Sequence, residues 1–355
     1  MTCSDIEEPS RVGVTGPAAV IILAAGEGTR MKNRIPKVLH EVCGRTMLGH
    51  VLAATSELGP ERLIVVTGHG RGQVAEHLAE HAPDAEIVVQ ERLGGTGHAV
   101  RTVIESVGLI HGNVVVTYAD TPLLRGSTLS ELVTAHQAHG AAVTVLTARL
   151  ADATGYGRII RDQDGALTGI VEEADASPGQ RAISEINSGM YAFDGDLLAD
   201  TIKRVPTGNA KGEEYLTDVV SILHADGYPV ATAACQDPEE VLGVNDQAQL
   251  ARARRAMNER LTGDWMRRGV MIIDPATTWL DVGVRLEPGA TIGPGTQLEG
   301  STTVAATARV GPGCLLRDTT VAAGATVVNS VCESAAVGVG VTVGPFAHLS
   351  GGREQ

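Results

Sequence analysis

Aromatic side chains are scarce in this sequence of 355 residues, which holds two Trp, two Phe and five Tyr, 3% in all. Platforms that stack single-stranded nucleic acid need more rings than that. Basic charge is short as well: 28 Lys and Arg stand against 42 Asp and Glu, a formal net charge of −14. A broad basic face for a phosphate backbone is therefore excluded, and nucleic acid with it. A phosphorylated small molecule stays open, because two or three local cations suffice for it. The five cysteines (Cys3, Cys43, Cys235, Cys314 and Cys332) are scattered, with no C-x-x-C pair and no metal-ligand spacing. They read as free thiols in a reducing compartment. No apolar stretch nears the ~20 residues of a membrane span. Residues 1–17 lack the basic and apolar regions of a signal peptide and read as a disordered tail, so the expected location is cytoplasmic.

Against these absences stands a hydrophobic content of 43%, enough for a sizeable core, in a chain long enough for two domains. The stretch that organises the first of them is Leu23-Ala-Ala-Gly-Glu-Gly-Thr-Arg-Met31, followed by Pro36-Lys37. An apolar run from Ala18 to Leu23 leads into it, short, β-branched and unalternated, as in a parallel strand buried on both faces. Gly26 and Gly28 let the backbone approach a ligand closely, and outward N–H groups at such a bend suit an anion. Arg30 and Lys37 add cations, Arg30 able to fork onto phosphate oxygens. The plain alternative is an ordinary strand-to-helix turn with surface charges. There is no G-x-x-x-x-G-K-[ST] and no third glycine of G-x-G-x-x-G. The stretch instead resembles the sugar-phosphate nucleotidyltransferase signature, L-x-x-G-x-G-T-R-[ML] followed by P-K.

Strand and helix patterns alternate from there. Val38–Leu58 carries apolar residues at helical spacing, Leu63–Thr67 reads as a second strand, Gln73–Ala82 as a helix and Glu86–Gln90 as a third strand. Gly94-Gly-Thr-Gly97 opens a helix through Ile104, and Asn113–Tyr118 is a fourth strand. The alternation predicts a doubly wound parallel sheet with its ligand at the carboxyl ends. Gln90 and Gly95-Thr96 sit there and suit the edge of a base, or else Thr96 caps the helix and Gln90 lies on the surface. Asp120 follows the fourth strand directly, either as a carboxylate for Mg²⁺ or as an Asx-turn before Pro122. From Ala141 the pattern turns antiparallel, a lobe over the open end of the sheet. That lobe carries Gly155-Tyr-Gly-Arg158, Ile170–Asp175 and Ile186–Tyr191, glycines and short polar residues fit for a multi-hydroxyl sugar, though each also reads as a turn or charged edge.

In order, LAAGEGTRM, PKVLH, GTGHA, YADTPLL, GYGRI, IVEEADA, INSGMY, EYLTDV and GVND resemble the bifunctional bacterial N-acetylglucosamine-1-phosphate uridylyltransferases / glucosamine-1-phosphate acetyltransferases, from about Ala18 to the C-terminus. The resemblance implies that Leu23, Ala24, Ala25 and Gly26 line the nucleotide, with Gln90, Gly95 and Thr96 at the uracil. It implies that Arg30 and Lys37 stabilise the phosphates as catalytic residues and that Tyr118 and Ala119 lie along nucleotide and sugar. Gly157, Glu172 and Asn187 would contact the sugar, while Asp120 and Asn245 would hold Mg²⁺, Asn245 lying beside the substrate too. Ala119 stands where the family often has Gly.

A charged helix, Asp246–Arg268, has sparse apolar positions and reads as a partly exposed arm. Beyond it Leu280, Leu286, Ile292, Leu298, Val304, Val310 and Leu316 recur every six residues, and after an offset near Val321 the period resumes at Val331, Val337, Val343 and Leu349. Such hexapeptide repeats predict a parallel β-helix, of the left-handed type by resemblance, whose coils share one core. The fold class expected is thus α/β: a Rossmann-like nucleotidyltransferase domain (18–245), a helical arm (246–270), a short left-handed parallel β-helix (271–350) and a tail (351–355). Family members continue through further coils, and Leu349-Ser-Gly-Gly352 stands where they have L-R-P-G. The expectation is therefore the first activity alone, UTP and N-acetyl-α-D-glucosamine 1-phosphate giving UDP-N-acetylglucosamine and pyrophosphate, in a homo-oligomer, a trimer by resemblance. The alternatives are transfer to another sugar 1-phosphate, or a non-catalytic assembly partner of a full-length homologue.

Overall fold

The computed structural model describes residues 16–351, so the expected tails lie outside it except for Gly16, Pro17 and Gly351. The strand β1 (Ala19–Ala24) is buried along its whole length. Its alternate residues feed two cores: Ala19, Ile21 and Leu23 one, Val20, Ile22 and Ala24 the other. That is why the run shows no alternation in sequence, since both faces are covered. Strands β2 (Arg62–Thr67), β3 (Glu86–Val89) and β4 (Asn113–Tyr118) join it in parallel. The crossovers are helices α1 (Met47–Ser56), α2 (Arg71–His81) and α3 (Thr96–Val107), with α4 (Gly126–His139) after β4.

The expected helix over Val38–Leu58 is broken. A 3₁₀ turn at Lys37–Leu39 and a two-residue-strand hairpin, Glu41–Val42 with Arg45–Thr46, precede α1. Positive φ at Cys43 (48°) and Gly44 (74°) turns the hairpin, and the Thr46 hydroxyl caps α1 by accepting from Gly49 N at 2.9 Å.

The second half adds β5 (Val143–Arg149), the hairpin β6 (Arg158–Arg161) and β7 (Leu167–Val171), the ten-residue β8 (Glu185–Asp194), α5 (Asp218–Ala225) and β9 (Val230–Ala234). Sheet order is β9-β5-β8-β4-β1-β2-β3. The antiparallel segments are thus not all a separate lobe: β5 and β8 are members of the central sheet, and only the β6–β7 hairpin stands off it, paired through β8. Strand β8 spans both because a register shift between Asn187 and Tyr191 bends it.

Helix α6 (Gln247–Arg267) starts at an Asp246 N-cap and buries Leu250, Ala253 and Met257, one stripe at helical spacing. These meet Met31, Val42, Met47, Leu123 and Val244 in a core of their own. The fully buried Asn258 ties the helix to the repeats, donating to Thr278 O (2.8 Å) and accepting from Leu280 N (2.9 Å).

The repeats form three parallel sheets, one short strand from each per turn, as in a left-handed β-helix. Leu280, Leu298, Leu316, Cys332 and Leu349 stack in register in one sheet, and the hexad aliphatics fill the axial core. Resumption of the period at Val331 is corrected: the inward residue is Cys332, fully buried, while Val331 pairs with Leu315 on the outer side. Corners before Val321, Cys332 and Val337 are each one residue short, so strict counting in sixes drifts off the true register. Replacing the inward residue by a charge, Cys332→Asp, should lower unfolding stability by about 4 kcal/mol or more. Val331→Asp should cost only about 1 kcal/mol. Urea denaturation of the two variants checks the order, and the reverse order refutes this register.

Candidate active site

The carboxyl ends of β1, β3 and β4 open into a cleft of about 320 Å³. Its lining includes Leu23, Ala24, Ala25, Gly26, Lys37, Gln90, Gly95, Thr96, Tyr118 and Asp120. Ten expected site residues thus meet on one wall although they come from four separate stretches of sequence. A Cβ on Gly26 would meet nothing within 4 Å, so protein packing does not require glycine there; its bareness leaves the loop open to a ligand. Gly28 differs, because it has φ 62° and a Cβ would lie 2.5 Å from Lys37 Cβ. This glycine is what lets the Lys37 stem fold against the loop. Arg30 lies on the 3₁₀ turn Thr29–Met31, exposed and with no ion pair among the described residues.

Lys37 Nζ donates to Asp120 Oδ2 at 2.5 Å and to Asn245 Oδ1 at 2.9 Å. Asp120 takes its place from β4 and from its own carbonyl, which accepts from Val244 N at 2.9 Å. Asn245 is fixed from the other side, its N–H donating to Gln249 Oε1 at 2.6 Å as α6 begins. The Asx-turn alternative for Asp120 fails: the turn is closed by Thr121 Oγ1 to Tyr118 O, and the carboxylate bonds Lys37 instead.

Gln90 is 4% exposed, which removes its surface alternative. Thr96 is not a cap, since α3 has Gly95 in that position; the threonine hydroxyl accepts from Leu216 N at 3.1 Å. Gly95 has φ 103°, and a Cβ there would lie 2.4 Å from Glu214 O. The loop and the segment 214–216 are laced together, with Gly97 N to Glu214 O and Glu214 N to Gly94 O both at 2.7 Å. Tyr118 is packed against Gly189, where a Cβ would fall 1.8 Å from its ring, and burial pushes its phenol well up. Ala119 lies beneath the cleft and not among its lining residues: it is fully buried and its N–H donates to Leu23 O.

A second hollow of about 290 Å³ lies by β7 and is lined by Glu172, Asp175, Asn209, Tyr215, Thr217 and Asp218 among others. Glu172 Oε1 accepts from Thr217 Oγ1 at 3.1 Å, and a Cβ on Gly157 would sit 3.5 Å from both Glu172 Oε1 and Asn187 Cβ. Gly157, Glu172 and Asn187 therefore do converge. Asn187 is partly committed, donating to Tyr191 OH at 2.7 Å and accepting from Gly189 N at 3.0 Å. Three residues bearing on the site escaped sequence reasoning. Thr217 and Tyr215 lie inside the EYLTD motif but read there as a helix start, and the Tyr215 hydroxyl is buried without a partner. Gly189 could be read only as a hairpin glycine. Arg158 is not a sugar contact; it is buried and clamps the hairpin through Tyr156 O, Ile183 O (3.0 Å) and Glu173 (2.8 Å).

None of the side chains lining the main cleft is an activated nucleophile: Lys37 is ion-paired, Tyr118 is held neutral and Thr96 is hydrogen-bonded to backbone. The glycine-rich loop after β1 and the lysine ammonium held in a cleft at the strand ends are those of a nucleotidyltransferase. Residues 20–186 match the MobA-like NTP transferase domain. Over 338 residues the chain is 56% identical to the bifunctional protein GlmU of Streptomyces coelicolor, covering 95% of this chain and 70% of that one. It is 56% identical over 326 residues to that of Thermobifida fusca (91% and 67%) and 48% over 341 residues to that of Pseudarthrobacter chlorophenolicus (95% and 69%). The chain belongs to the GlmU family and is its UDP-N-acetylglucosamine diphosphorylase, an enzyme class that works with a divalent metal. Among the described residues no helix is long and apolar enough to cross a membrane, and Cys43, Cys235, Cys314 and Cys332 are unpaired.

Burial raises the pKa of half-buried Glu172 above the ordinary carboxylate value, outweighing its bond from Thr217 and the charge of Lys211. A raised folded-state value gives a contribution that is full below the unfolded pKa and is lost as pH rises through the folded one. Glu172→Gln should therefore escape the loss of stability that the parent suffers above about pH 4.5, seen in thermal unfolding from pH 4 to 7.5. Its kcat/KM for sugar phosphate should fall roughly 10- to 100-fold, the loss of one charged acceptor.

Proposed function

We propose that UTP lies in the main cleft, base against Gln90, Gly95 and Thr96 and phosphates along Leu23–Gly26, with N-acetyl-α-D-glucosamine 1-phosphate over Gly157, Glu172 and Asn187 beside Tyr118 and the Ala119 backbone. A phosphate oxygen of the sugar attacks the α-phosphorus in line, the new O–P bond forming as the bond to the β-phosphate oxygen breaks, and pyrophosphate departs with the electron pair. Lys37 and Arg30 offset the charge that grows on the phosphate oxygens. The observation that carries the reading is the Lys37 ammonium held by Asp120 and Asn245 at the cleft.

The same observation tests the metal. Asp120 Oδ2 and Asn245 Oδ1 already converge on one cation, so two hard oxygen donors face a common point, as Mg²⁺ requires. Among the described residues no cluster of three or more His, Cys, Asp or Glu could hold an ion; substrate phosphate would supply the further oxygens. Bound there, Mg²⁺ would neutralise phosphate charge. Asp120 and Asn245 would hold the ion by a carboxylate and an amide oxygen, and Lys37 would bear on phosphate beside them.

Transfer to another sugar 1-phosphate is the rival, because Glu172 and Asn187 do not single out an acetamido group. A non-catalytic role is disfavoured by the intact Lys37–Asp120–Asn245 junction. The reading includes a cytoplasmic location, a division into catalytic domain (18–245), arm (246–270) and β-helix (271–350), and a trimer joined through the β-helix. Exposed Met271, Ile273, Val339 and Phe346 support that assembly.

Pyrophosphate release with UTP and a panel of sugar 1-phosphates tests substrate choice. Asp120→Ala should lower kcat by about 10²-fold or more at limiting Mg²⁺, and parental activity at that concentration sinks the metal assignment. Sedimentation across a dilution series should show a concentration-dependent trimer; a monomer at every concentration refutes the assembly.

A further inference from the structure

Gln90 carries an amide that could face a base with either its oxygen or its NH₂, and these read opposite partners. Uracil presents a donor at N3, cytosine an acceptor. Which end faces out is decided behind the residue. Nε2 donates to Gly95 O at 3.1 Å and lies 2.8 Å from His98 Nδ1. A carbonyl can only accept, so Gly95 O fixes the NH₂ on that side. Nδ1 must then accept the second N–H, which places the imidazole proton on Nε2. Oε1 is left without a protein partner among the described residues, in a residue lining the cleft.

The imidazole is held for this task. It sits in the first turn of α3, and a Cβ on Gly94 would lie 2.9 Å from its Cγ, so only glycine leaves the ring its place. Burial lowers its pKa below the ordinary histidine value; Glu214 opposes, Arg101 and Arg92 assist, and Glu105 opposes. At neutral pH the ring is uncharged and can accept.

We propose that His98 is a positioning residue for base selection: by accepting from Gln90 Nε2 it completes, with Gly95 O, the hold on the amide that turns its oxygen toward the base and makes the cleft select a pyrimidine with a donor at N3. This rests on the base lying at Gln90, as proposed above. Nothing in it distinguishes uracil from thymine, which share that donor.

The test measures kcat/KM for UTP and for CTP with N-acetylglucosamine 1-phosphate, monitored by pyrophosphate release, in the full chain. Loss of one hydrogen bond that holds the amide should reduce the UTP-over-CTP preference roughly tenfold in His98→Leu. His98→Asn, whose Oδ1 can stand where Nδ1 does and accept, should restore most of it. Should the leucine variant not fold, His98→Ala serves in its place. Gln90→Leu separates the two readings. If it leaves the preference intact, the base does not lie at Gln90 and the site reading fails. If it relaxes the preference while His98→Leu does not, the role of His98 is overturned. Relaxation in His98→Leu without rescue by asparagine also overturns it, because packing would then explain the effect.

Discussion

One ammonium group joins three distant parts of this chain. Lys37 reaches Asp120, 83 residues on, and Asn245, 208 residues on, with side chains only 12% and 18% exposed for the ion pair itself. At such partial burial the attraction is stronger than between solvated surface charges, but each partner left alone would suffer from its desolvation. The rest of the catalytic half is arranged so that none is. Strand β1 delivers the loop, Gly28 lets the lysine stem pack on it, β4 delivers the carboxylate, and the turn before α6 delivers the amide. A structural ion pair that sits in a ligand cleft has a second property: a better cation or anion can exchange with it. The junction is therefore a fastener of the fold that also stands open to the cleft.

Helix α6 makes that junction rigid. Along its length Gln247 donates to Met31 O (3.4 Å), Arg254 to Glu41 O (2.9 Å) and Arg260 to Leu123 O (3.0 Å). These are carbonyls of the glycine-rich loop, the hairpin after Lys37 and the turn after Asp120. The far side of the helix grips the first coil through Asn258, and Val282 N reaches back to Cys43 O at 3.0 Å. Each contact is a modest hydrogen bond, worth about 1 kcal/mol on its own. Together they fix loops that would otherwise move independently, and a site tolerates little such motion. The repeats are thus mechanically continuous with the catalytic loops through one helix.

Much of this was legible in the sequence because two patterns are enforced by burial. A strand covered on both faces must be apolar throughout, which betrays β1, β2 and β4; a coil with one inward aliphatic per corner must repeat in sixes. The candidate residues at strand ends stand out for a related reason, since polar groups directly after buried runs have few structural excuses. What could not be read depends on contacts between distant segments. No local signal distinguishes Gly28, required by Lys37, from Gly26, required by nothing in the protein. Arg158 sits in a motif that suggested a sugar contact, yet it is spent on the carbonyls of Tyr156 and Ile183 and on Glu173. Shortened corners mislead counting because the coil keeps its core by pairing, not by spacing, so Cys332 replaces the expected Val331. The hairpin at Glu41–Thr46 was hidden by apolar residues that happen to fall at helical intervals.

The main cleft and the second hollow obey different economies. In the main cleft most donors and acceptors are matched: the Gln90 NH₂ by Gly95 and His98, Thr96 by Leu216, Asp120 and Asn245 by Lys37. Around the second hollow they are not. The Tyr215 hydroxyl is buried without a hydrogen-bond partner among the described residues, and burial holds the Glu172 carboxyl at a raised pKa despite the bond from Thr217 and the charge of Lys211. Groups in that state cost folding free energy, because burial strips them of water without replacing it. A sequence under selection for stability alone would replace them with apolar residues of like volume. Their presence around one hollow fits the proposed recognition of a polyhydroxylated partner, since hydrogen-bonding capacity the protein leaves unused there is open to a ligand.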